Sequence, residues 1–550
     1  MKDIKVKFNG KTYQCPENTL LLDFFKGKVY DENMIIAGLV DNKLVDLNYK
    51  LHRDCCVGAV DIKSEEGMKV YRRSMSFVFI RAVRELFPEA RVTIEHSLGK
   101  GLYCEVHKDH SLNKSDVALI KRKMDEIVSK NMPFERIKVS IKQAIDIFNQ
   151  QGQPEKVKLL KYSTDEKMYL YRLNGYYDYF YGILAPHTGY LKVFDLKFYL
   201  PGVIIMFPDM SDPKNVAEFV DQHKLAAIYQ ETEKWGRIMR VDYVSSLNEL
   251  IESGDIKEII RIAEALHEKK IAQIADLVSK NRDNVRLILI AGPSSSGKTT
   301  FAQRLYIQLR VNGLRPISIS LDDYFLPSGM IPKDENGKYD FENIEALDLE
   351  LFNEQLAQLI QGEEVVLPKY DFATGSRIQY GRKVKIDKDQ PIIIEGIHGL
   401  NERLTSAIPK DRKFKIYISA LTQLNLDDHN RIPTTDSRLV RRIVRDYMFR
   451  ATDAEKTLEM WSSVRRGEEK NIFPYQEEAD VMFNSALVYE LGVLKKYAEP
   501  LLLKVKRSSG VFYMAQYLLD ILSYIRPIRD EQDIPANSIL REFIGNSCFF

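Results

Sequence analysis

Cysteine is scarce in this 550-residue chain, which contains only five. Their number is odd, their spacing is scattered and no CxxC pair occurs, so the sequence argues against a disulfide-based fold and against a zinc site built mainly from cysteine. Such usage is typical of a reducing compartment, and we expect a cytoplasmic protein. The five positions are Cys15, Cys55, Cys56, Cys104 and Cys548.

Long apolar runs and an excess of one charge are also missing. No run of about 18 apolar residues occurs, so no membrane span is expected. The first segment, MKDIKVKFNGKTYQC, alternates polar and apolar residues and has no apolar signal core. The 80 basic and 78 acidic residues leave a net charge of +2, which gives no global attraction to nucleic acid or membrane.

Local patterning divides the first half of the chain into three segments. Residues 1–65 predict a small β-rich module. Residues 66–243 mix helical and strand patterns and predict an α+β region. Residues 244–281 are helical and charged and predict a connector, with Ser246 as its N-cap and Glu249 completing a capping box.

Two hairpin signals support the β-rich module. Alternating apolar and polar residues flank Asn9-Gly10, and a similar pattern flanks Asp41-Asn42. Asn, Asp and Gly tolerate the left-handed backbone that two-residue hairpin turns require.

A different pattern begins at Val285. Short apolar runs such as VRLILIA, PISISL and PIIIEG alternate with helical stretches, which predicts an α/β fold with a doubly wound parallel sheet. We assign residues 282–525 to this domain and residues 526–550 to a C-terminal tail. The tail ends in apolar residues, and whether it docks on the body or on a partner subunit is open.

The sharpest motif is AGPSSSGKTT, which fits the pattern GxxxxGK[ST]. A strand precedes it and a helix follows it, which disfavours the alternative of a chance glycine-rich turn. Glycine lets the backbone amides converge on phosphate oxygens, and the helix N-terminus adds positive charge. We therefore predict ATP binding by Gly292, Pro293, Ser294, Ser295, Ser296, Gly297, Lys298, Thr299 and Thr300.

Acidic residues follow two of the predicted strands. Asp322 follows PISISL, and Glu395 stands at the end of PIIIEG. The carboxyl ends of parallel strands gather around the ligand, so Asp322 fits a base for an acceptor hydroxyl and Glu395 fits a magnesium-binding carboxylate. The alternatives are an acidic turn or helix cap for Asp322 and a solvated strand end for Glu395.

The segment DSRLVRRIVRDYMFR predicts a helix dense in arginine. Guanidinium groups in a row along one face suit a polyphosphate, which they grip by forked hydrogen bonds. The alternative is a solvated basic helix or a surface that faces RNA. The arginines are Arg438, Arg441, Arg442, Arg445 and Arg450.

With GPSSSGKTT, DDYF, KYDFENIEALD, PKYDFATGSR, EGIHGL and DSRLVRRIVRD, residues 285–500 resemble the uridine kinase and phosphoribulokinase family. The resemblance implies that Thr299, Asp322 and Glu395 surround Mg²⁺, with Asp322 as catalytic base and Lys298 on the phosphates. It also implies substrate contacts and a lid over ATP. The substrate contacts are Asp340 on the ribose hydroxyls, Tyr370 on the base and Arg442, and the lid residues are Arg445 and Arg450.

Two positions depart from that family. Gly375 stands where uridine kinases carry the histidine that reads the pyrimidine base, and Thr452 stands where the lid carries an arginine. Phosphoryl transfer is therefore expected, whereas the pyrimidine selectivity of the family is not implied. The acceptor is a nucleoside or another hydroxyl compound.

The first half resembles parts of threonyl-tRNA synthetase. Residues 1–65 resemble a TGS domain, mainly through IIAGLVDNKLVDLNYKL, and residues 66–240 resemble the second additional domain, which carries the editing site. The family's HxxxH and CxxxH motifs fall on RSMSF and ILAPH, so three of the four ligand positions are changed and we predict neither zinc nor editing. The four positions are Arg73, Phe77, Ile183 and His187.

The leading hypothesis is an ATP-dependent nucleoside kinase that uses a small-molecule acceptor. The alternative is an RNA- or ribosome-associated regulator that senses nucleotide and uses the TGS-like module. Lysines in the first half are compatible with RNA contact, although a solvated face explains them as well. A homo-oligomer is also compatible with the sequence. The lysines are Lys100, Lys108, Lys114, Lys121 and Lys123.

Overall fold

The protein is described here by a computed structural model. It describes residues 3–29, 35–333, 337, 339–371, 374–387, 389–422 and 424–550. None of the helices in these ranges combines the length and the apolar character that crossing a bilayer requires.

The first module is a five-stranded sheet in the order β2-β1-β7-β4-β5 with one short helix. Both predicted hairpins are confirmed: Asn9 and Gly10 have φ of 48° and 75°, and Asp41 and Asn42 have φ of 48° and 60°. Its elements are β1 (Asp3–Phe8), β2 (Lys11–Pro16), β3 (Thr19–Leu20), α1 (Leu21–Phe25), β4 (Ile35–Val40), β5 (Lys43–Val45), β6 (Lys50–Leu51) and β7 (Cys55–Asp61).

The next region is α+β, with a sheet in the order β13-β14-β9-β8 and another in the order β10-β11-β12. Its long first helix is buried along much of its length and packs under the four-stranded sheet. The elements are α2 (Glu65–Leu86), β8 (Arg91–Leu98), β9 (Gly101–His107), α3 (Lys114–Ser129), β10 (Glu135–Ser140), α4 (Ile141–Gln150), α5 (Pro154–Leu160), β11 (Lys167–Leu173), β12 (Tyr176–Asp178), β13 (Asp195–Tyr199), β14 (Gly202–Met206) and α6 (His223–Met239).

Two helices rather than one follow: α7 (Val244–Ser253) and α8 (Ile256–Lys280). Gly254, at φ 86°, ends the first of them. The predicted N-cap at Ser246 is wrong, because the N-cap of α7 is Tyr243, three residues earlier. Val244 is buried in the core and anchors the first turn there.

The last region is a parallel sheet in the order β16-β19-β15-β20-β23, which confirms the predicted doubly wound α/β fold. Its strands are β15 (Leu287–Ala291), β16 (Ile317–Ser320), β17 (Val365–Asp371), β18 (Ser376–Val384), β19 (Ile392–Glu395), β20 (Lys413–Ser419), β21 (Asn425–Asp427), β22 (Asn430–Arg431) and β23 (Val481–Asn484). Its helices are α9 (Lys298–Val311), α10 (Leu349–Gln361), α11 (Thr434–Arg450), α12 (Ala454–Asn471), α13 (Glu490–Leu502), α14 (Phe512–Ser523) and α15 (Arg541–Ile544).

One hydrophobic core joins the two halves of the chain. Phe148 of α4 and Leu159 of α5 belong to the same buried cluster as α7, α8 and the parallel sheet. A buried charge network crosses this boundary as well. The Lys156 ammonium lies 2.8 Å from Asp178 and 2.6 Å from Asp427, and the His429 ring lies 2.7 Å from Asp178. The helices of the first half therefore complete the core of the second.

Candidate active site

The glycine-rich loop connects β15 to α9 at the centre of the parallel sheet. Gly297 has φ 81° and Ser295 has φ 59°, so the backbone turns sharply before α9 begins at Lys298. A Cβ atom on Gly292 would lie 2.0 Å from the Ile418 carbonyl oxygen, which only glycine avoids. The loop therefore directs backbone amides and a helix N-terminus at one point, the arrangement that binds phosphate.

Two arginines of α11 support this loop from behind. Arg438 donates to the Ser294 carbonyl at 3.0 Å and pairs with Glu468 at 2.5 Å. Arg441 donates to the Ser295 carbonyl at 3.3 Å and forms an ion pair with Glu490 at 2.5 Å. Both guanidinium groups are completely buried, so the predicted row of phosphate-gripping arginines is wrong for these two. Their role in the structure is to hold the loop.

Lys298 and Thr299 lie at the start of α9 and face the ends of neighbouring strands. The Lys298 ammonium donates to the carbonyls of Gly292 at 3.0 Å and Pro293 at 3.2 Å, and burial lowers its pKa. The Thr299 hydroxyl donates to Glu395 Oε1 at 2.9 Å. Burial raises the pKa of Glu395 to about 7, against the pull of Lys298. A bound cation would relieve this strain on the carboxylate.

Asp322 lies beside this group because β16 and β19 are paired, with Ser320 opposite Glu395. Asp322 stands in the one-turn 3₁₀ helix Leu321–Tyr324 that follows β16, and its N–H donates to the Ser320 hydroxyl at 3.3 Å. Desolvation in the cleft raises the pKa of the Asp322 carboxyl, while Lys298 lowers it. The structure therefore brings the predicted catalytic and metal residues together at one edge of the sheet.

The three predicted substrate residues have different contacts. Asp340 is half-buried, and its Oδ1 accepts the Glu342 N–H at 3.2 Å. Tyr370 is only 4% exposed, and its ring packs against Phe325, so its contact with a base stays a prediction. Arg442 donates to the Ser294 hydroxyl of the phosphate loop at 2.7 Å.

The predicted lid arginines share one carboxylate. Arg445 lies 2.8 Å from Asp446 and Arg450 lies 3.8 Å from it, and Arg442 joins them at 3.1 Å. Three guanidinium groups around the single carboxylate of Asp446 leave positive charge available to an anion. This excess lies on the face of α11 next to the phosphate loop.

The two departures from the uridine kinase pattern differ in their surroundings. Gly375 has φ 64°, and a Cβ atom there would lie 2.1 Å from the Ser328 hydroxyl oxygen. Ser328 also donates to the Gly375 carbonyl at 3.1 Å, so this corner is closed to a larger side chain. Thr452 donates its hydroxyl to the Arg450 carbonyl at 3.0 Å, after α11 has ended.

Three carboxylates that the sequence analysis did not single out also reach the site. Burial, reinforced by Glu468, raises the pKa of Glu342 to about 7. Glu468 accepts the Ser294 N–H at 2.9 Å, and Glu542 of the C-terminal tail accepts the Thr300 N–H at 3.2 Å and its hydroxyl at 2.8 Å. Glu342 stands within the motif KYDFENIEALD, which was a usable signal. Nothing local marks Glu542, because 242 residues separate it from its partner.

The side chains present fit ATP and Mg²⁺. The hydroxyls of Ser295 and Ser296 are buried in the phosphate loop without a hydrogen-bond partner among the described residues. Lys298 supplies a cation beside them. Thr299, Asp322 and Glu395 supply the hard oxygen ligands that Mg²⁺ prefers.

In the first half, the four positions of the synthetase editing motifs form a packed cluster. Arg73 donates to the Ile183 carbonyl at 2.7 Å, and the Phe77 ring lies 5.3 Å from that of Phe180. Burial lowers the pKa of His187. An arginine and a phenylalanine therefore fill the space that metal ligands would need.

The lysines considered for RNA contact are mostly engaged with acidic neighbours. Lys100 pairs with Asp209, Lys108 with Asp116, and Lys121 with Asp125. Lys123 lies between Glu85 and Glu126. These pairings favour the interpretation of an ordinary solvated surface.

Comparison with known proteins finds a family that is similar to the region carrying this site. Residues 287–490 match the Phosphoribulokinase / Uridine kinase family. This matched region contains the phosphate loop, Asp322, Glu395 and α11. The second half of the chain is thus similar to a family of P-loop kinases that act on small molecules.

Curated relatives show a second likeness. The chain is 29% identical over 190 residues to a threonine–tRNA ligase of Clostridium kluyveri, a stretch that covers 34% of this chain and 30% of the ligase. It is 35% identical over 161 residues to the threonine–tRNA ligase of Geobacter sp., covering 29% of this chain and 25% of the ligase. The chain therefore spans only about a quarter to a third of these relatives.

Two solved structures are similar at a low level. One is described as a possible uridine kinase from Bacillus stearothermophilus, with 21% identity, a TM-score of 0.25, and coverage of 38% of this chain and 97% of that chain. The other is D-glycerate 3-kinase from Cryptococcus neoformans var. grubii, with 14% identity, a TM-score of 0.21, and coverage of 46% and 87%. At these scores the resemblance assigns no acceptor.

Proposed function

We propose that the chain is an ATP-dependent kinase that transfers the γ-phosphate to a hydroxyl group of a nucleoside or a similar small molecule. The observation that carries this proposal is the hydrogen bond between Thr299 and Glu395 beside Lys298, with Asp322 at the end of the adjacent strand. A phosphate loop, a metal-ligating pair and a free carboxylate in this order are what phosphoryl transfer to an alcohol requires.

ATP would supply the phosphoryl group, and Mg²⁺ bound by Thr299, Glu395 and Asp322 would offset its charge. Lys298 would exchange its two carbonyl partners for phosphate oxygens. Asp322 would accept the proton of the acceptor hydroxyl, and its raised pKa brings this carboxylate closer to the range that favours a general base. Arg445 and Arg450 would cover the phosphates with charge that Asp446 alone does not neutralise.

The acceptor pocket is expected to differ from that of a pyrimidine kinase. A base-reading histidine is replaced by Gly375, and the Ser328 hydroxyl occupies the space next to it. Asp340 and Arg442 remain as polar contacts for a sugar. We therefore propose that the sugar hydroxyls are recognised and that the selectivity for the base is altered.

A screen with labelled ATP against nucleosides and sugar phosphates tests this function. We expect one acceptor class to be phosphorylated by the native chain, and Lys298→Ala to abolish turnover. Asp322→Asn should lower kcat by about 10²- to 10⁴-fold with ATP binding kept. Lys385→Ala, an exposed lysine on another part of the same region, is the control. Near-normal turnover by Asp322→Asn would refute the base assignment.

The second candidate is a regulator that associates with RNA, favoured by the likeness to threonine–tRNA ligases. We propose that this likeness belongs to the first half, where the TGS-like pattern lies. Filter binding with tRNA separates the two candidates. Tight tRNA binding together with no phosphorylated acceptor would support the regulator, whereas acceptor turnover without tRNA binding would support the kinase.

A further inference from the structure

A cavity of about 440 Å³ lies away from the phosphate loop, at the boundary between the two halves of the chain. Its walls come from β8 and β9 on one side, from α6 and α8, and from the loops that follow β20 and β23. Its volume is within the range of sites for small organic ligands. Neither the proposed phosphoryl transfer nor the likeness to tRNA ligases uses it.

Three half-buried carboxylates lie on the cavity wall. Burial raises the pKa of Glu95 and of Asp242, and burial together with Glu95 and Glu105 raises the pKa of Glu233 to about 8. Of these three carboxylates, Glu233 alone has an ion-pair partner within the described part of the chain, which is Arg237 at 3.1 Å. A raised pKa disfavours the ionised form of these half-buried carboxyls, and a cation bound beside them would favour that form again.

Arg91 carries the other guanidinium group on the wall, and its ion-pair partner is a carboxylate that does not line the cavity. Its Nε and Nη2 donate to the two oxygens of Asp428 at 2.8 and 2.7 Å, and Nη2 also donates to the Tyr243 hydroxyl. It is therefore held by a carboxylate outside the cavity lining. Arg91 therefore lowers the pKa of Asp242 only at a distance, and its ion pair is with Asp428.

A neutral histidine supplies an independent acceptor to the same cavity. His267 is 4% exposed, and burial lowers its pKa to about 3. It forms a hydrogen bond with the backbone of Ala486, whereas its Nδ1 atom has no partner among the described residues. A neutral ring that donates through Nε2 presents a lone pair at Nδ1. The Nδ1 lone pair therefore adds one hydrogen-bond acceptor to the lining of the cavity.

Another part of the wall is apolar. Its apolar residues are Trp235 and Met239 of α6, and Leu421, Leu487 and Val488 from the loops that follow the parallel strands. Such a wall favours an alkyl or aromatic body, since burying apolar surface is favourable at about 25 cal/mol per Å². A ligand that matches both walls has a cationic head and an apolar body.

We propose that this cavity is a binding site for a small organic cation, with a guanidinium or amine head on the acidic wall and His267 Nδ1, and an alkyl body on the apolar wall. A bare metal ion fits less well, because no three metal-ligating side chains in the described part of the chain converge on one point. A guanidinium group instead spreads its N–H donors over several acceptors.

Isothermal titration of the full chain with two matched probes tests the proposal. Butylguanidinium and butylurea have nearly the same shape, but only the first is charged. We expect butylguanidinium to bind saturably with one site per chain, and butylurea to bind at least about tenfold more weakly, because it cannot pair with the carboxylates. Equal affinity for the two probes, or no saturable heat with butylguanidinium at millimolar concentration, would overturn the proposal.

Variants of the cavity residues test whether butylguanidinium binds in this cavity. Glu95→Gln combined with Glu233→Gln should weaken butylguanidinium binding by at least about tenfold, since both carboxylates are lost. Glu231→Gln is the control, because Glu231 lies on the same helix and pairs with Lys270 outside the cavity. Asp242→Asn provides a second single variant, should the double variant fail to fold. Unchanged affinity in a folded Glu95/Glu233 variant would refute the site.

Discussion

The carboxylate of Glu542 lies where a nucleotide phosphate is expected to bind. Removing its charge is therefore expected to change the affinity for ATP. Its Oε2 accepts both the N–H and the hydroxyl of Thr300 in the first turn of α9. Ile539 of the same tail packs against Gly297, where a Cβ atom would lie 2.4 Å from it. A triphosphate held by this helix N-terminus must therefore displace Glu542 or move the tail.

The size of the effect follows from these contacts. A negative charge at a helix N-terminus is stabilised by about 0.3–1 kcal/mol, and a charge-assisted hydrogen bond adds roughly another 1 kcal/mol. Glu542→Gln keeps the shape and removes the charge, so competition should fall by about 1–2 kcal/mol. We expect ATP to bind about 5- to 30-fold more tightly.

Titration of Mg²⁺-ATP into the native chain and the variant measures this change. Asp530→Asn is the matched control, because Asp530 belongs to the same tail but pairs with Lys257 at the surface. An unchanged dissociation constant would refute the idea that Glu542 competes with phosphate. Weaker binding in the variant would show instead that Glu542 belongs to the nucleotide site.

Three further predictions concern stability. Glu468→Gln leaves the Arg438 guanidinium buried without its charged partner. Urea denaturation should therefore show a free energy of unfolding that is lower by about 3–5 kcal/mol. A decrease of less than about 1 kcal/mol would contradict the supporting role of the pair. Lys156→Met leaves Asp178 and Asp427 facing each other in the core and should cost a similar amount, whereas the exposed Lys158→Met should be nearly neutral. Glu342 has a folded-state pKa of about 7, above its ordinary value, so its stabilising protonation is lost as pH rises from about 4.5 to about 7. Because Glu342 is partly exposed, the expected effect is reduced: Glu342→Gln should raise the free energy of unfolding by about 1–2 kcal/mol at pH 8 and change it little near pH 4. Equal effects at the two pH values would count against the raised pKa of Glu342.

Features that depend on neighbouring residues were predictable from the sequence. The Asn9-Gly10 and Asp41-Asn42 turns, the parallel strands and the phosphate loop each rest on local propensity or on a short motif. The proximity of Asp322 and Glu395 was predictable too, because the ends of parallel strands meet at one edge. These are cases in which the local pattern and the global fold agree.

Features that depend on distant partners were not predictable. Arg438 and Arg441 have the helical spacing of a phosphate-gripping face, and only the positions of Glu468 and Glu490 show that both are buried supports. The beginning of α7 is set by burial of Val244 rather than by the capping pattern at Ser246. Glu542 and the cavity between the halves depend on contacts across more than 100 residues, which composition and periodicity do not report.

The buried network of Lys156, Asp178, Asp427 and His429 has a consequence for synthesis on the ribosome. His429 follows Asp178 by 251 residues. At a translation rate of about 5–20 residues per second, His429 is synthesised about 13 to 50 seconds after Asp178. During that interval the first half is a nascent chain with an unfinished interior, and we expect it to be a client of holding chaperones until the second half is translated.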